Sequence, residues 1–229
     1  MKAAKPNRLK TNRLKKSLLI VSSLAFAASP TWATLVTWSL NPGGTNANVG
    51  SSTQDFSVSG FMITARGFDM PSTPHELFFK NAGGDEIGLG LVNTANNELQ
   101  VNGSGNPLQF IQLDLRSILP QGFTNGKIEV GSVQNGELFN LFGSNTLGTL
   151  GTKLNSTPYD SSKDDVFVSV PSFGTYQFIS VVAAAADVLP VAFQATIVPI
   201  PEAGSLVPAL CLVVIATALD IRRRRRTRI

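Results

Sequence analysis

Few residues in this chain could do chemistry. His75 is the only histidine, so any histidine-based metal site and any Ser-His-Asp triad would have to use it. It closes the segment Met70-Pro-Ser-Thr-Pro-His75, which predicts a solvent-exposed loop histidine. No Gly-x-Ser-x-Gly elbow accompanies it. Cys211 is the only cysteine and sits in an apolar run near the C-terminus. The domain before that run therefore has no thiol nucleophile, no cysteine-ligated metal and no disulfide. There is no Gly-x-Gly-x-x-Gly, no phosphate-binding P-loop and no His-Glu-x-x-His. Acidic turns occur at Gly83-Gly84-Asp85-Glu86 and Ser161-Ser162-Lys163-Asp164-Asp165. Such turns offer the oxygen ligands that Ca2+ takes, but their spacing matches no EF-hand loop. They read as solvated turn acids, and no cofactor is expected. Any two strands could bring two carboxylates together for glycoside hydrolysis, yet no particular pair stands out. Trp38, Tyr159 and Tyr176 are the aromatics able to stack on a sugar, while the phenylalanines read as core. Asn102-Gly103-Ser104 and Asn155-Ser156-Thr157 match the glycosylation sequon and read as turns. The inventory points to a non-enzymatic protein.

The net charge of +4 misleads. Seven of the 19 basic residues precede Ser17 and six follow Ile221. Residues 34–197 hold the remaining six basic residues against 13 acidic ones, a net charge of −7. An acidic domain repels phosphate backbones, so nucleic acid is excluded as a partner. The basic ends read as topology signals.

The start of the chain has the order of a secretory signal peptide over residues 1–33. A basic stretch ends at Lys16, and an apolar segment runs from Leu18 to Ala28. Ser29-Pro30 then breaks any helix, and Thr31-Trp32-Ala33 places small residues for cleavage. Cleavage is expected after Ala33, with Ala27 or Ala28 as the alternative. The implied partners are the Sec machinery and signal peptidase.

The end of the chain, residues 198–229, has three parts. A segment of irregular backbone, Val198-Pro199-Ile200-Pro201-Glu202-Ala203-Gly204-Ser205, is kept extended by its prolines. An apolar run follows over 206–221 and predicts a transmembrane helix. At about 1.5 Å per residue its 16 residues span roughly 24 Å, short for a bilayer core of about 30 Å. Snorkelling arginines and local thinning close that gap. The basic end 222–229 carries Arg222, Arg223, Arg224, Arg225 and Arg226, which stay cytoplasmic under the positive-inside rule.

This tail resembles the PEP-CTERM sorting signal, which combines a Pro-Glu-Pro-like motif, a transmembrane helix and a short basic terminus. Pro201 and Glu202 match the motif, Pro199 precedes it, and Gly204 and Ser205 also fit; Ala203 stands where the family usually has a second proline. The resemblance covers about the last 32 residues. It implies recognition by an exosortase, a membrane cysteine protease-transpeptidase. It also implies a Gram-negative host that makes exopolysaccharide, a cell-surface or biofilm setting, and Glu202 and its neighbours as the processing determinant.

Between these addresses, residues 34–197 alternate apolar and polar residues in about ten short runs separated by Asn, Gly, Ser and Thr. The runs are Leu35–Leu40, Phe56–Ala65, Glu76–Lys80, Glu86–Val92, Leu108–Leu115, Ile128–Val133, Glu137–Phe142, Asp165–Val170, Tyr176–Ala184 and Val191–Ile197. They predict an all-β fold, an antiparallel β-sandwich that is jelly-roll-like. A hairpin is expected across Asn135-Gly136, with Val133 opposite Leu138 and Val130 opposite Leu141. Leu108–Leu115 predicts a half-buried strand, with Ile111, Leu113 and Leu115 inward and Phe110, Gln112 and Asp114 outward. The Ala-rich run Val182–Val188 fits helix or strand. Gly88-Leu-Gly-Leu-Val92, Asn97–Gln100 and Phe110–Leu115 together resemble a pattern common in PEP-CTERM proteins, some of which look like carbohydrate-binding modules.

The expected function is that of a non-enzymatic surface or exopolysaccharide-matrix protein. It is exported as an inner-membrane-anchored precursor with a periplasmic domain, then processed to the envelope or extracellular surface. The alternatives are a carbohydrate-binding module of β-sandwich type and, ranked third, a glycan-active hydrolase.

Overall fold

The computed structural model describes residues 33–198, apart from Asp85 and Asn135. The expected transmembrane helix at 206–221, the basic end and most of the signal segment lie outside the described residues. Among the described residues no helix is long and apolar enough to cross a membrane.

The chain is all-β. Its strands are β1 (Thr34–Ser39), β2 (Ala47–Asn48), β3 (Thr53–Val58), β4 (Phe61–Asp69), β5 (Thr73–His75), β6 (Leu77–Asn81) and β7 (Ile87–Leu91). They continue as β8 (Leu99–Gln100), β9 (Gln109–Asp114), β10 (Phe123–Gly131), β11 (Leu138–Ser144) and β12 (Thr152–Lys153). The last three are β13 (Val168–Ser169), β14 (Phe178–Ala185) and β15 (Asp187–Ile197). One sheet has the order β1-β15-β10-β13, with β8 attached to β15. A second runs β12-β11-β14-β9-β4-β3, with β5 attached to β4, and a third runs β2-β6-β7. The strands within each sheet pair antiparallel. No sheet closes into a barrel.

Period-2 alternation decides what is buried. Val36 and Trp38 on β1, Ile128 and Val130 on β10, and Phe193 and Ala195 on β15 point into one core. Ile63, Ile111, Leu141 and Val181 of the second sheet and Leu77, Leu89 and Leu91 of the third meet them there. Trp38 is wholly buried, and its indole N–H donates to the Phe61 carbonyl at 3.0 Å. Its ring lies 5.6 Å from that of Phe123 and 5.9 Å from that of Phe193. This aromatic cluster ties the first sheet to the turn of the β3–β4 hairpin.

That hairpin corrects one expectation. Phe56–Ala65 is two strands, turned at Ser59 and Gly60 with φ of +52° and +84°. Two successive left-handed residues suit the twist of a tight hairpin. The hairpin expected across Asn135-Gly136 does not form. The Glu137 amide donates to the Gln134 carbonyl at 2.9 Å. The expected arms diverge: β10 pairs with β13 and β15, while β11 pairs with β12 and β14. Ser132 at φ +58° ends β10 early, and the Val133 amide then donates to Asp164 Oδ1 at 2.8 Å. Val130 and Leu141 are both fully buried in the common core, from two different sheets.

β9 is buried on both faces. The loop after β11 covers its polar side. Gln112 accepts from the Gly148 amide at 2.8 Å and donates to the Thr149 carbonyl at 3.0 Å. Leu150 of that loop packs on a second small core of Phe68, Phe110 and Val182. The Ala-rich run is strand, interrupted by Ala186 at φ +51°. Asp165–Val170 contributes only the two residues of β13. β15 begins four residues before the expected Val191 and passes through Pro190, which lacks a ladder N–H. Opposite it, the pairing with β10 shifts register between Glu129 and Val130, the kind of irregularity at which a strand proline is tolerated.

The Gly-Leu-Gly run has a steric cause. Leu89 and Leu91 fill the core while Gly88 and Gly90 face other backbone. A Cβ on Gly90 would sit 1.7 Å from the Asn97 carbonyl oxygen, which belongs to rigid main chain. Gly103 has open space around it. Gly90→Ala is therefore expected to lower unfolding free energy by about 3 kcal/mol, and Gly103→Ala to change it by less than about 0.5 kcal/mol, both read from urea unfolding midpoints.

Candidate functional site

The first and last strands of the domain are neighbours. β1 pairs along its whole length with the end of β15, from Thr34 opposite Ile197 to Ser39 opposite Ala192. Antiparallel partners lie about 5 Å apart, so the chain enters and leaves at one end of the first sheet. Ala33 is exposed immediately before β1, and Val198 is 44% exposed immediately after β15. The expected cleavage point at Ala33 thus lies in accessible chain against the folded domain. Pro199, Pro201, Glu202, Gly204, Ser205 and the arginines 222–226 lie outside the described residues.

The opposite end is acidic. β15 starts at Asp187, ten residues from Ile197, roughly 30 Å along an extended strand. Around that start lies a buried ionic cluster. Lys80, from β6, contacts Glu98 Oε1 and sits 2.8 Å from Glu86 Oε2. Lys80 and Glu98 are 6% and 2% exposed. Ser132 donates to the other Glu98 oxygen at 3.0 Å. Burial opposes the charge on Lys80, but hydrogen bonds and charge from Glu86 and Glu98 outweigh it and hold the pKa above its ordinary value. Burial pushes Glu98 up, against the pull of Lys80 and Ser132 and with a further push from Asp187. Glu137 is raised by burial and then by Asp187, Asp164 and Glu86. Composition revealed the acidity of the domain but not its concentration at this end. Alternation gave no signal for this cluster: Glu98 lies outside the strands, and Lys80 is out of phase with the core residues Leu77 and Phe79 of β6.

His75 is not a solvent-exposed loop residue. It lies on β5, opposite Gly67 of β4, with its side chain 20% exposed. Its Nδ1 lies 2.8 Å from Asp69 Oδ1 and its Nε2 lies 2.6 Å from the Val92 carbonyl oxygen. Both ring nitrogens are engaged by neighbours in the fold, so the ring pins β5 to the end of β7. Asp114, expected on an open face, is instead 8% exposed. Arg116 grips it in a bidentate pair at 2.9 and 2.7 Å, and Arg66 approaches to 3.9 Å. Burial works to raise the Asp114 pKa, but the Arg116 bonds, its charge and that of Arg66 outweigh it and bring it below the usual carboxylate range. Arg116 also lies over the Phe178 ring, 5.0 Å from its centroid.

The sugar-stacking candidates divide. Trp38 is fully buried and unavailable. Tyr159 is half-buried with its ring 4.8 Å from Phe139, and Tyr176 is half-buried over Gly143. The acidic turn at 161–165 is tied into the structure. Asp160 caps it through the Ser162 amide at 3.0 Å, and Asp164 holds the Val133 amide. Asn155 is buried and accepts from the Leu141 amide at 2.9 Å, so that sequon is structural. Among the described residues no three His, Cys, Asp or Glu side chains are placed to hold a metal ion. Comparison with known proteins finds no matching family model, no matching curated protein and no matching solved structure.

Two outcomes follow for the ionic groups. Lys80→Met leaves Glu98 buried without its cation and is expected to cost about 3 kcal/mol or more. Lys80→Met with Glu98→Leu should cost less than the single change, as read by a double-mutant cycle in urea. Asp114, with its folded pKa lowered, stabilises the fold above its unfolded value of about 4, and that stability is lost as pH falls through the folded value. Asp114→Asn should lower stability by about 1–2 kcal/mol at pH 7, and the difference from the parent should shrink as pH falls below about 4 in a series of urea titrations.

Proposed function

We propose that this chain is a non-enzymatic exported protein of the cell surface or exopolysaccharide matrix, delivered by its two ends and processed at its C-terminal sorting signal by an exosortase. The carrying observation is the pairing of Thr34 with Ile197. Chain segments leaving side by side from one end let a signal peptide and a membrane-spanning tail reach the same bilayer without strain on the domain. The domain then extends away from the membrane with its acidic end outermost, where anionic lipid repels it least. The domain is an antiparallel β-sandwich of jelly-roll-like form, followed by a transmembrane helix over 206–221 and the arginine cluster 222–226 on the cytoplasmic side. The Sec machinery and signal peptidase act at Ala33, in accessible chain. Exosortase acts at the segment containing Pro199, Pro201, Glu202, Gly204 and Ser205, directly beyond the exposed Val198.

A non-enzymatic role accords with the engagement of the reactive side chains in the fold. His75 is held at both nitrogens, Asp114 by arginine and Glu98 by Lys80. The second reading, a carbohydrate-binding module, is favoured by a groove on the outer face of the first sheet.

The reading is tested by intact mass of the protein recovered from the envelope of its host and of a strain lacking the exosortase. A species starting at Thr34 and ending between Pro201 and Ser205, seen only with the exosortase, is the expected result. Retention of Arg222–Ile229 in both strains would overturn it and leave a tail-anchored periplasmic protein.

A further inference from the structure

A cavity of about 600 Å³ opens on the outer face of the first sheet, where β10, β13 and β15 meet Leu35 of β1. That volume is within the range of ligand sites, about 300–1,000 Å³. The groove is a product of local backbone irregularity. The pairing of β10 with β15 shifts register between Thr124 and Lys127, inserting Asn125 at φ +53° and Gly126. The Gly126 carbonyl takes the Val170 amide at 2.9 Å, holding the bulge against the segment after β13. Phe173 lies over Gly126 so closely that a Cβ there would come within 2.1 Å of the ring. The ring is half-buried, packs against the core beside Phe193 at 6.1 Å, and also lines the groove, so its position is fixed by the core.

The lining is chemically selective. Its hydrogen-bonding side chains are Thr124, Asn125, Lys127, Ser169, Gln194 and Thr196. Thirteen acidic residues lie in the middle of the chain, yet none is among the groove's lining residues. Without carboxylates the groove has no negative charge to hold a hard cation. With one lysine in a domain of net charge −7 it has no basis for holding a polyanion. Neutral amides and hydroxyls beside an aromatic ring suit a neutral polyhydroxylated chain, whose hydroxyls pair with amides and whose ring faces pack on apolar carbon. The Gln194 amide donates to Thr37 Oγ1 at 2.9 Å, which fixes it before any ligand arrives.

We propose that this groove binds a strand of neutral polysaccharide, with Gln194 and Asn125 as the principal hydrogen-bonding groups and Phe173 as the stacking wall. The proposal rests on the reading of the chain as a matrix protein and gives that reading a site and a ligand class. Because the groove lies at the end where the chain enters and leaves, the bound strand would run close to the sorting tail.

The test is affinity electrophoresis of the purified full-length chain in detergent, through native gels containing dextran, galactomannan, xyloglucan, mixed-linkage β-glucan or polygalacturonate. Retardation by at least one neutral polymer is expected. The Asn125→Ala/Gln194→Ala double variant should weaken it at least tenfold without lowering the melting temperature by more than a few degrees. Gly126→Ala, which removes no polar group but displaces Phe173, should weaken it severalfold. Retardation by none of the neutral polymers, retardation by polygalacturonate alone, or retardation unchanged in both variants would overturn the proposal. The gels report on the groove and intact mass reports on the tail, so either reading can fail without the other.

Discussion

Strand β15 is the constraint on which the architecture depends. It is the last strand in sequence and lies between β1 and β10, with β8 attached near its start. Leu189 and Pro190 also press against Gly88 of the third sheet. Until β15 is in place, β1 has no sheet partner among the described strands and nothing joins it to β10. Its pairing with β1 joins residues more than 150 positions apart, a long-range closure of high entropic cost. The return is burial of Trp38, Phe193 and Ala195 in the shared core.

The same pairing gives the domain two different ends. One carries both chain exits and the carboxylate-free groove; the other carries Asp187 and the Lys80–Glu98–Glu86 cluster. The distance of the acidic cluster from the chain exits follows from strand direction, since residues at the start and finish of an 11-residue strand cannot be neighbours. A domain tethered at the exit end would present its acidic end outward. This geometry is what connects the fold to the proposed delivery of the chain to a membrane.

The strand pattern was legible where alternation is strict. Leu35–Leu40, Glu76–Lys80 and Glu86–Val92 became β1, β6 and β7 with shifts of about one residue. It failed where a turn residue was taken as part of a strand or a turn as a hairpin. Ser59-Gly60 lies inside an apolar run, and only its left-handed backbone marks it as a turn. Asn135-Gly136 carries the composition of a hairpin, but Ser132 turns the chain before the second arm can pair. Like opposing like across that turn was compatible with pairing in one sheet and equally with meeting across a core. Gln112 and Asp114 looked solvent-facing because polar residues usually are; a loop 36 residues downstream supplies Gln112 with partners, and Arg116 supplies Asp114.

By itself the sequence determined the all-β character, the acidity of the middle and the absence of thiol chemistry there, because these are sums over local residue types. It also carries, at its two ends, the linear order of charge and apolar length on which the proposed delivery rests. Tertiary structure decided which strands share a sheet, where His75, Asp114 and Glu98 find their partners, and that Thr34 meets Ile197. Those outcomes depend on contacts between residues far apart in sequence. Local propensity is blind to them, since the same alternating strand can pair with any edge that buries its apolar face.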